Sequence, residues 1–295
     1  MSLRNLNYRY IMKNFLIPFI VIISLFMTGC SKEEPSYKVF MQIKSIICDT
    51  GTDNSQFTYD SYGRVISYER VCNDESYTIT YEYVSDDLIR ITTKDVIKDA
   101  IPTQDGYNDM IRTFKDELHL EKGRAASCDG LFSLAGGDKY PFEKKYRLEF
   151  GYTLDNHLNW IKHTEWNKSG DDWAEDRPWT WENYYYWEDG NLVKIEDCSG
   201  NSHPYITYSL KYGNTSEVQN VVPIPIEGLQ YYPLQLKGHF GPMPIGLIIE
   251  IVRSDASNGN DITKYRYILY ETQITNYVEL HNGSESNIFT VQWTK

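Results

Sequence analysis

Residues 76–83 read SYTITYEY. Tyr77, Ile79, Tyr81 and Tyr83 fall on one side of an extended chain; Ser76, Thr78, Thr80 and Glu82 fall on the other. Successive side chains of a β-strand leave opposite faces, so this alternation is that of a strand with one buried face. Tyr and Ile also favour strands. Residues 146–152 repeat the pattern, with Tyr146, Leu148, Phe150 and Tyr152 against Arg147, Glu149 and Gly151.

The turns repeat as well. Tyr59 is followed by Gly63 and Val65, Tyr83 by Asp87 and Ile89, Tyr152 by Asn156 and Leu158, and Tyr186 by Gly190 and Leu192. Asp86, Asp155 and Asp189 precede three of the turn residues. Gly, Asn and Asp tolerate the positive φ of a tight hairpin. The unit is therefore aromatic strand, tight turn, aliphatic strand. The predicted fold is all-β, an antiparallel meander of twelve or more strands. A sheet that long must curl or split. It forms a curved, partly closed barrel, or, as the alternative, two successive antiparallel sheets dividing near residue 140.

The stretches FTYDSYGRVISY, YTITYEYVSDDLIRI and YYYWEDGNLVKI resemble the tyrosine-rich hairpins of a Bacteroidetes lipoprotein family, a domain of unknown function described as having a porin-like fold. The segment from Tyr231-Tyr232-Pro233-Leu234 to Gly241-Pro242-Met243-Pro244 resembles that family's aromatic, Gly/Pro-bearing segment. The resemblance spans about residues 40–295 and implies a barrel. It supplies no catalytic residues.

The N-terminus reads as an address. Arg4, Arg9 and Lys13 precede the uncharged run Phe15–Met27, too short to span a bilayer and of signal-peptide length. Met27-Thr28-Gly29-Cys30 resembles a bacterial lipobox, with Cys30 as the lipidated residue. The expected organisation is a lipoprotein signal peptide at 1–29, a lipidated Cys and flexible tether at 30–38, and one all-β domain at 39–295. Ser31-Lys32-Glu33-Glu34 looks like a short signal for the cell surface. The expected location is the outer membrane, on its surface or periplasmic face, with the membrane reached through Cys30. The outward polar residues lack the apolar band of a lipid-facing barrel, so the domain is expected to stand in water.

The chain of 295 residues carries 41 acidic and 29 basic side chains. That balance lacks the basic footprint of a nucleic-acid binder. Cys48, Cys72, Cys128 and Cys198 show no metal-ligand spacing, and no metal or cofactor is expected. Cys48–Cys72 is the favoured disulfide, since both end early strands; free buried thiols are the alternative. No HExxH, GxSxG or phosphate-loop motif occurs, so a non-catalytic protein is expected.

Three regions break the alternation. In Asp95–Gly123, Met110, Ile111, Phe114 and Leu118 recur at helical spacing, which predicts a short helix or an excursion. Residues 123–142 are small and Gly-rich and read as loop. Residues 219–246 contain Pro223, Pro225, Pro233, Pro242 and Pro244, apolar but too broken for a central strand. This segment reads as a cover over a sheet face or barrel mouth, with a short helix near Gly228–Leu236.

Six of the seven tryptophans lie between 160 and 187. Aromatic faces flanked by carboxylates suit the C–H side and the hydroxyls of a sugar ring. Asp171, Asp172, Glu175 and Asp176 sit among them. Trp160 and Trp187 fall on strand positions and read as packing residues. Trp166, Trp173, Trp179 and Trp181 are the candidate ligand-binding residues, and a glycan or a protein the candidate ligand. An assembly lipoprotein with a protein partner and a lipid carrier are the alternatives, with an enzyme ranked last.

Overall fold

The computed structural model describes residues 42–294 apart from 104–105, 136–141, 170–171, 174–177, 199–203, 214–217, 223–228, 256–258 and 272. The expected leader at 1–29, Cys30 and the tether at 30–38 lie outside the described residues. The first strands are β1 (Ile43–Cys48), β2 (Asp53–Tyr59), β3 (Val65–Cys72), β4 (Glu75–Ser85), β5 (Leu88–Thr103) and β6 (Gly106–Glu121). Next come β7 (Arg124–Ala135), β8 (Phe142–Tyr152), β9 (Leu158–Ser169), β10 (Asp172–Trp173), β11 (Trp179–Glu188) and β12 (Asn191–Asp197). The last are β13 (Ile206–Gly213), β14 (Leu247–Asp255), β15 (Gly259–Tyr270), β16 (Gln273–His281) and β17 (Ser284–Trp293).

The strands pair antiparallel in chain order, with β11 next to β9. β1 pairs with β2 on one side and β17 on the other, Ile46 facing Val291 and Cys48 facing Phe289. The sheet is therefore a closed barrel of sixteen strands, and β10 adds a short ladder beside the end of β9. Closure is complete rather than partial, and the alternative of two sheets is not realised. Among the described residues, closure leaves no free edge in the sixteen-strand sheet itself.

The quoted strand behaves as its alternation requires. Ile79 and Tyr81 are buried inside the barrel, while Thr78, Thr80 and Glu82 are exposed on its outer wall. The four repeated turns, 60–64, 86–87, 153–157 and 189–190, all lie at the same end of the barrel. Asp189 and Gly190 have φ of 48° and 75°, the double left-handed conformation of a tight hairpin turn.

Two expectations from pattern are corrected. Among the described residues, Asp95–Gly123 holds no helix; it is the end of β5 and all of β6. Met110, Phe114 and Leu118 are spaced by four, which fits one strand face as well as a helical stripe, and Arg112 and Asp116 share that inner face. Residues 124–135 are strand β7, not loop. Its small residues make room inside the barrel: a Cβ on Gly130 would lie 2.2 Å from Cζ of Tyr146.

The 219–246 segment enters the barrel. Its described part includes a helix, α1 (Tyr232–Leu236), with Pro233 in the first turn, where a missing N–H costs nothing. The Tyr81 hydroxyl donates to the Gln230 carbonyl at 2.8 Å, and the Ala125 N–H to the His239 carbonyl at 2.7 Å. Tyr232 packs edge-on against Phe57 and Tyr68, and Phe240 against Phe150. Leu234 of the plug and Ile79, Ile89, Leu118, Leu158 and Leu192 around it are fully buried, each worth about 1.5–3 kcal/mol of burial. The plugged end is also where β1 begins, since the Gln42 amide donates to the Gly63 carbonyl at 3.1 Å. Among the described residues the other end carries no such plug; its connections at 104–105, 136–141, 174–177, 199–203 and 256–258 lie outside the described residues.

The outer wall is charged. Arg90 pairs with Glu117 at 3.0 Å, Arg147 with Asp129 at 3.5 Å, Lys162 with Glu149 at 3.6 Å, and Glu250 with both Lys211 and Lys264. An Arg or Lys facing the middle of a bilayer costs about 2–4 kcal/mol. These pairs suit water; the same wall also exposes Ile47, Ile268 and Ile288.

Cys48, Cys72, Cys128 and Cys198 are free thiols, which corrects the Cys48–Cys72 expectation. Strand β2 lies between β1 and β3. Two ladder steps put their backbones roughly 9–10 Å apart, beyond the ~7 Å limit of a disulfide.

Candidate functional site

The unplugged end of the lumen collects polar and aromatic side chains that alternation alone places inward. On one wall, β11 pairs with β9 so that Trp181 faces His163 and Trp179 faces Glu165. The sequence Trp179-Thr180-Trp181 puts both indoles on the inner face. Trp181 lies against the His163 ring at 3.8 Å between centroids, and Trp179 meets Trp181 edge-on at 6.0 Å. Tyr146 closes the stack with its ring 5.7 Å from His163. Glu165 receives Lys144 Nζ at 2.9 Å. Trp179 is 57% exposed, a large aromatic left facing solvent at the mouth.

The opposite wall, made by β15–β17 and β1–β3, holds a cavity of about 130 Å³. Arg70 donates from Nε and Nη2 to the two oxygens of Asp53 at 2.9 and 2.6 Å. The Ser55 and Tyr68 hydroxyls are 3.0 Å apart beside this pair. Across the cavity, Tyr265 donates to Glu279 at 3.4 Å, and Tyr277 stacks on Phe289 with centroids 4.7 Å apart. Burial, followed by the nearby Asp53 charge, raises the Glu279 carboxyl above its ordinary range, although the Tyr265 hydrogen bond pulls the other way. Val221, Val222 and Tyr232 of the plug also line the cavity.

A third cluster sits between these walls. Arg112 on β6 bridges Glu75 at 2.5 Å and the buried Asp95. Burial raises the Asp95 carboxyl in spite of that guanidinium. Its Oδ1 and the Oγ1 of Thr93, two residues along the same inner face, have no hydrogen-bond partner among the described residues.

The four candidate tryptophans divide between two faces. Trp179 and Trp181 line the lumen. Trp166 pairs with Lys145 on the outer face, with Lys145 Nζ 5.6 Å from its ring centre. Trp173 in β10 pairs with Lys168, whose Nζ lies 5.9 Å from its ring centre. Asp171, Glu175 and Asp176 lie outside the described residues, as does the side chain of Asp172. Trp160 packs on the outer face over Gly151, and Trp187 donates to the Leu158 carbonyl at 2.7 Å at the plugged end. Sequence reasoning missed Arg70, Asp53, Glu279 and the Arg112 cluster. A signal was present: each is a charged residue in register with an aromatic or aliphatic inner face, as Arg70 is with Tyr68 and Glu279 with Tyr277. No group of three or more His, Cys, Asp or Glu side chains that could hold a metal occurs among the described residues.

No protein-family model and no curated protein sequence matches the chain. Its fold is similar to that of a porin-like protein from Bacteroides vulgatus, with a TM-score of 0.53 and 13% identity over 86% of this chain and 99% of that one. It is also similar to a porin-like protein from Bacteroides uniformis, with a TM-score of 0.50 and 16% identity over 85% of this chain and 98% of that one. At these identities the likeness is one of fold.

Proposed function

We propose that the chain is a lipid-tethered, water-exposed barrel of the outer membrane or cell surface that binds a glycan at its unplugged end without catalysis. The observation that carries this reading is the Trp179–Trp181–His163 stack on the lumen face, open to solvent and flanked by the Glu165–Lys144 pair. Indole faces take the apolar side of a sugar ring, and the flanking charged groups take its hydroxyls. The plug supports binding rather than passage, because it fills one end of the lumen.

The charged outer wall supports a barrel held beside the membrane rather than in it. The stretch from the expected lipid site at Cys30 to Gln42 spans about 40 Å at most when fully extended. The porin-like fold of the two similar structures agrees with a location at the outer membrane.

The test is thermal denaturation of the mature chain with a panel of oligosaccharides. A ligand at a hundred times its Kd adds about 2.7 kcal/mol, roughly 5–10 °C for a domain of this size. The expected result is a shift with one glycan class that disappears in Trp179→Ala/Trp181→Ala and persists in Trp166→Ala. A panel without any shift would overturn the glycan reading and leave a protein partner as the ligand to seek.

A further inference from the structure

The cavity on the wall opposite the tryptophans has the size and chemistry of a separate subsite. About 130 Å³ is roughly ten times the space one water needs. It has room for more than ordered water and is of the order of one small polar ring. The plug residues Val221, Val222 and Tyr232 line it, so a ligand entering from the mouth stops there.

The charges argue against an anionic occupant, and the Glu279 carboxyl across the cavity adds to that. Arg70 spends two of its N–H donors on Asp53 in a bidentate pair, and the pair as a unit is neutral. An anion such as phosphate would have to displace Asp53 from both bonds. A hydroxyl does not: the guanidinium keeps three further N–H donors and the carboxylate keeps lone pairs. The Ser55 and Tyr68 hydroxyls add groups that donate or accept. The stacked Tyr277–Phe289 pair offers an apolar side. Side-by-side donors and acceptors next to an aromatic wall suit neighbouring hydroxyls on a ring.

We propose that this cavity binds one terminal, uncharged monosaccharide unit, so that a glycan entering the lumen is recognised by its end. The inference rests on reading the mouth as a glycan site, and it adds a residue set that the tryptophans do not share.

The test uses the mature chain with methyl glycosides of glucose, galactose, mannose, fucose and N-acetylglucosamine, followed by saturation-transfer NMR and calorimetry. Inorganic phosphate and sulfate serve as anionic probes. The variants are Asp53→Asn/Arg70→Met, the milder Tyr265→Phe, Trp179→Ala/Trp181→Ala and Trp166→Ala, each checked for a folded state by thermal denaturation. Binding of at least one methyl glycoside is expected. Its affinity should fall about tenfold or more in Asp53→Asn/Arg70→Met, as loss of charge-assisted hydrogen bonds predicts. In Trp166→Ala, on the outer face, it should stay nearly unchanged.

If oligosaccharides bind through the tryptophans while no methyl glycoside binds, and the Asp53/Arg70 variant matches the parent, the subsite is overturned and the mouth reading stands. Preference for phosphate or sulfate, lost with Arg70, would overturn an uncharged occupant. Absence of all carbohydrate binding would overturn both.

Discussion

The Tyr152 hydroxyl donates to the Ala125 carbonyl at 2.8 Å, reaching from the end of β8 back to the start of β7. The same relationship recurs around the plugged end. Tyr59 reaches Ile43, Trp187 reaches Leu158, Tyr212 reaches Leu192, Tyr267 reaches Ile248 and Trp293 reaches Ile274. Each bond runs from the last inward aromatic of one strand to a carbonyl at the first turn-side residues of the strand before it. The ring of each aromatic faces the lumen, and its polar tip ties a hairpin at the rim. Burial raises the Tyr152 and Tyr212 hydroxyls far above their ordinary range, so they remain donors throughout neutral and mildly alkaline pH.

Tyr152→Phe keeps the ring and removes the tie. It is expected to lower stability by about 0.5–1.5 kcal/mol, the net worth of one such hydrogen bond. Urea denaturation measures it, and an unchanged midpoint would show that the hydroxyl only accompanies the packing.

Gly130 lies under the Tyr146 ring, and Tyr146 in turn donates to the buried Asp116. Gly130→Ala is expected to destabilise by about 1–3 kcal/mol through overpacking. In a Tyr146→Ala background the same change should cost much less, because the ring it strikes is gone. Equal costs in both backgrounds, read from a double-mutant cycle, would place the strain elsewhere.

Asp116 faces the plug, where Tyr146, Tyr231 and the Gln230 side chain hydrogen-bond its oxygens. Burial outweighs these bonds and pushes its carboxyl up to about 6. With the unfolded value near 3.8, the folded state holds the proton more tightly. Its contribution is therefore most favourable below pH 4 and is lost as pH rises through 6. The loss is on the order of 3 kcal/mol. Asp116→Asn should flatten this slope and be at least as stable as the parent at pH 7. A variant that keeps the parent's pH profile in thermal denaturation would rule Asp116 out as its source.

Asp95 is 1% exposed and held by Arg112, itself about one-third exposed. Arg112→Met leaves a buried carboxylate without its cation. The full penalty for breaking a buried pair is about 3–5 kcal/mol, and solvent at the guanidinium should reduce it to the lower part of that range or below. Asp95→Asn in the same chain should recover most of the loss. No recovery would mean that the guanidinium acts through Glu75 instead.

Cys30→Ser in the full chain should move the protein from the membrane fraction to the soluble fraction of the cell envelope, as the proposed lipid tether requires. Retention of the variant in the membrane, measured by fractionation and blotting, would contradict a lipid-tethered, water-exposed barrel.

Much of the fold is written in local pattern. SYTITYEY and its counterparts specify strand, inner face and outer face, because a period of two is a property of neighbouring residues. The repeated turns are legible because Gly190 and Asp189 accept a backbone that few other residues do. The same local logic misreads β6, where Met110, Phe114 and Leu118 satisfy both periods, and β7, where Gly130 is small to admit Tyr146 rather than to bend the chain. The site is legible only in part. That Trp179 and Trp181 share a face follows from their spacing. That His163 lies against Trp181 depends on the β9–β11 register.

Sequence by itself determined that this chain is a meander of antiparallel strands with aromatic inner faces, since alternation and tight turns are properties of neighbouring residues, with β6 and β7 the exceptions. Only the tertiary structure decided that β1 meets β17, that residues 229–246 plug one end, and that Arg70, Asp53 and Glu279 share a cavity. Those contacts join residues up to about 250 positions apart. They are fixed by barrel closure, a property of the whole sheet that no single segment encodes.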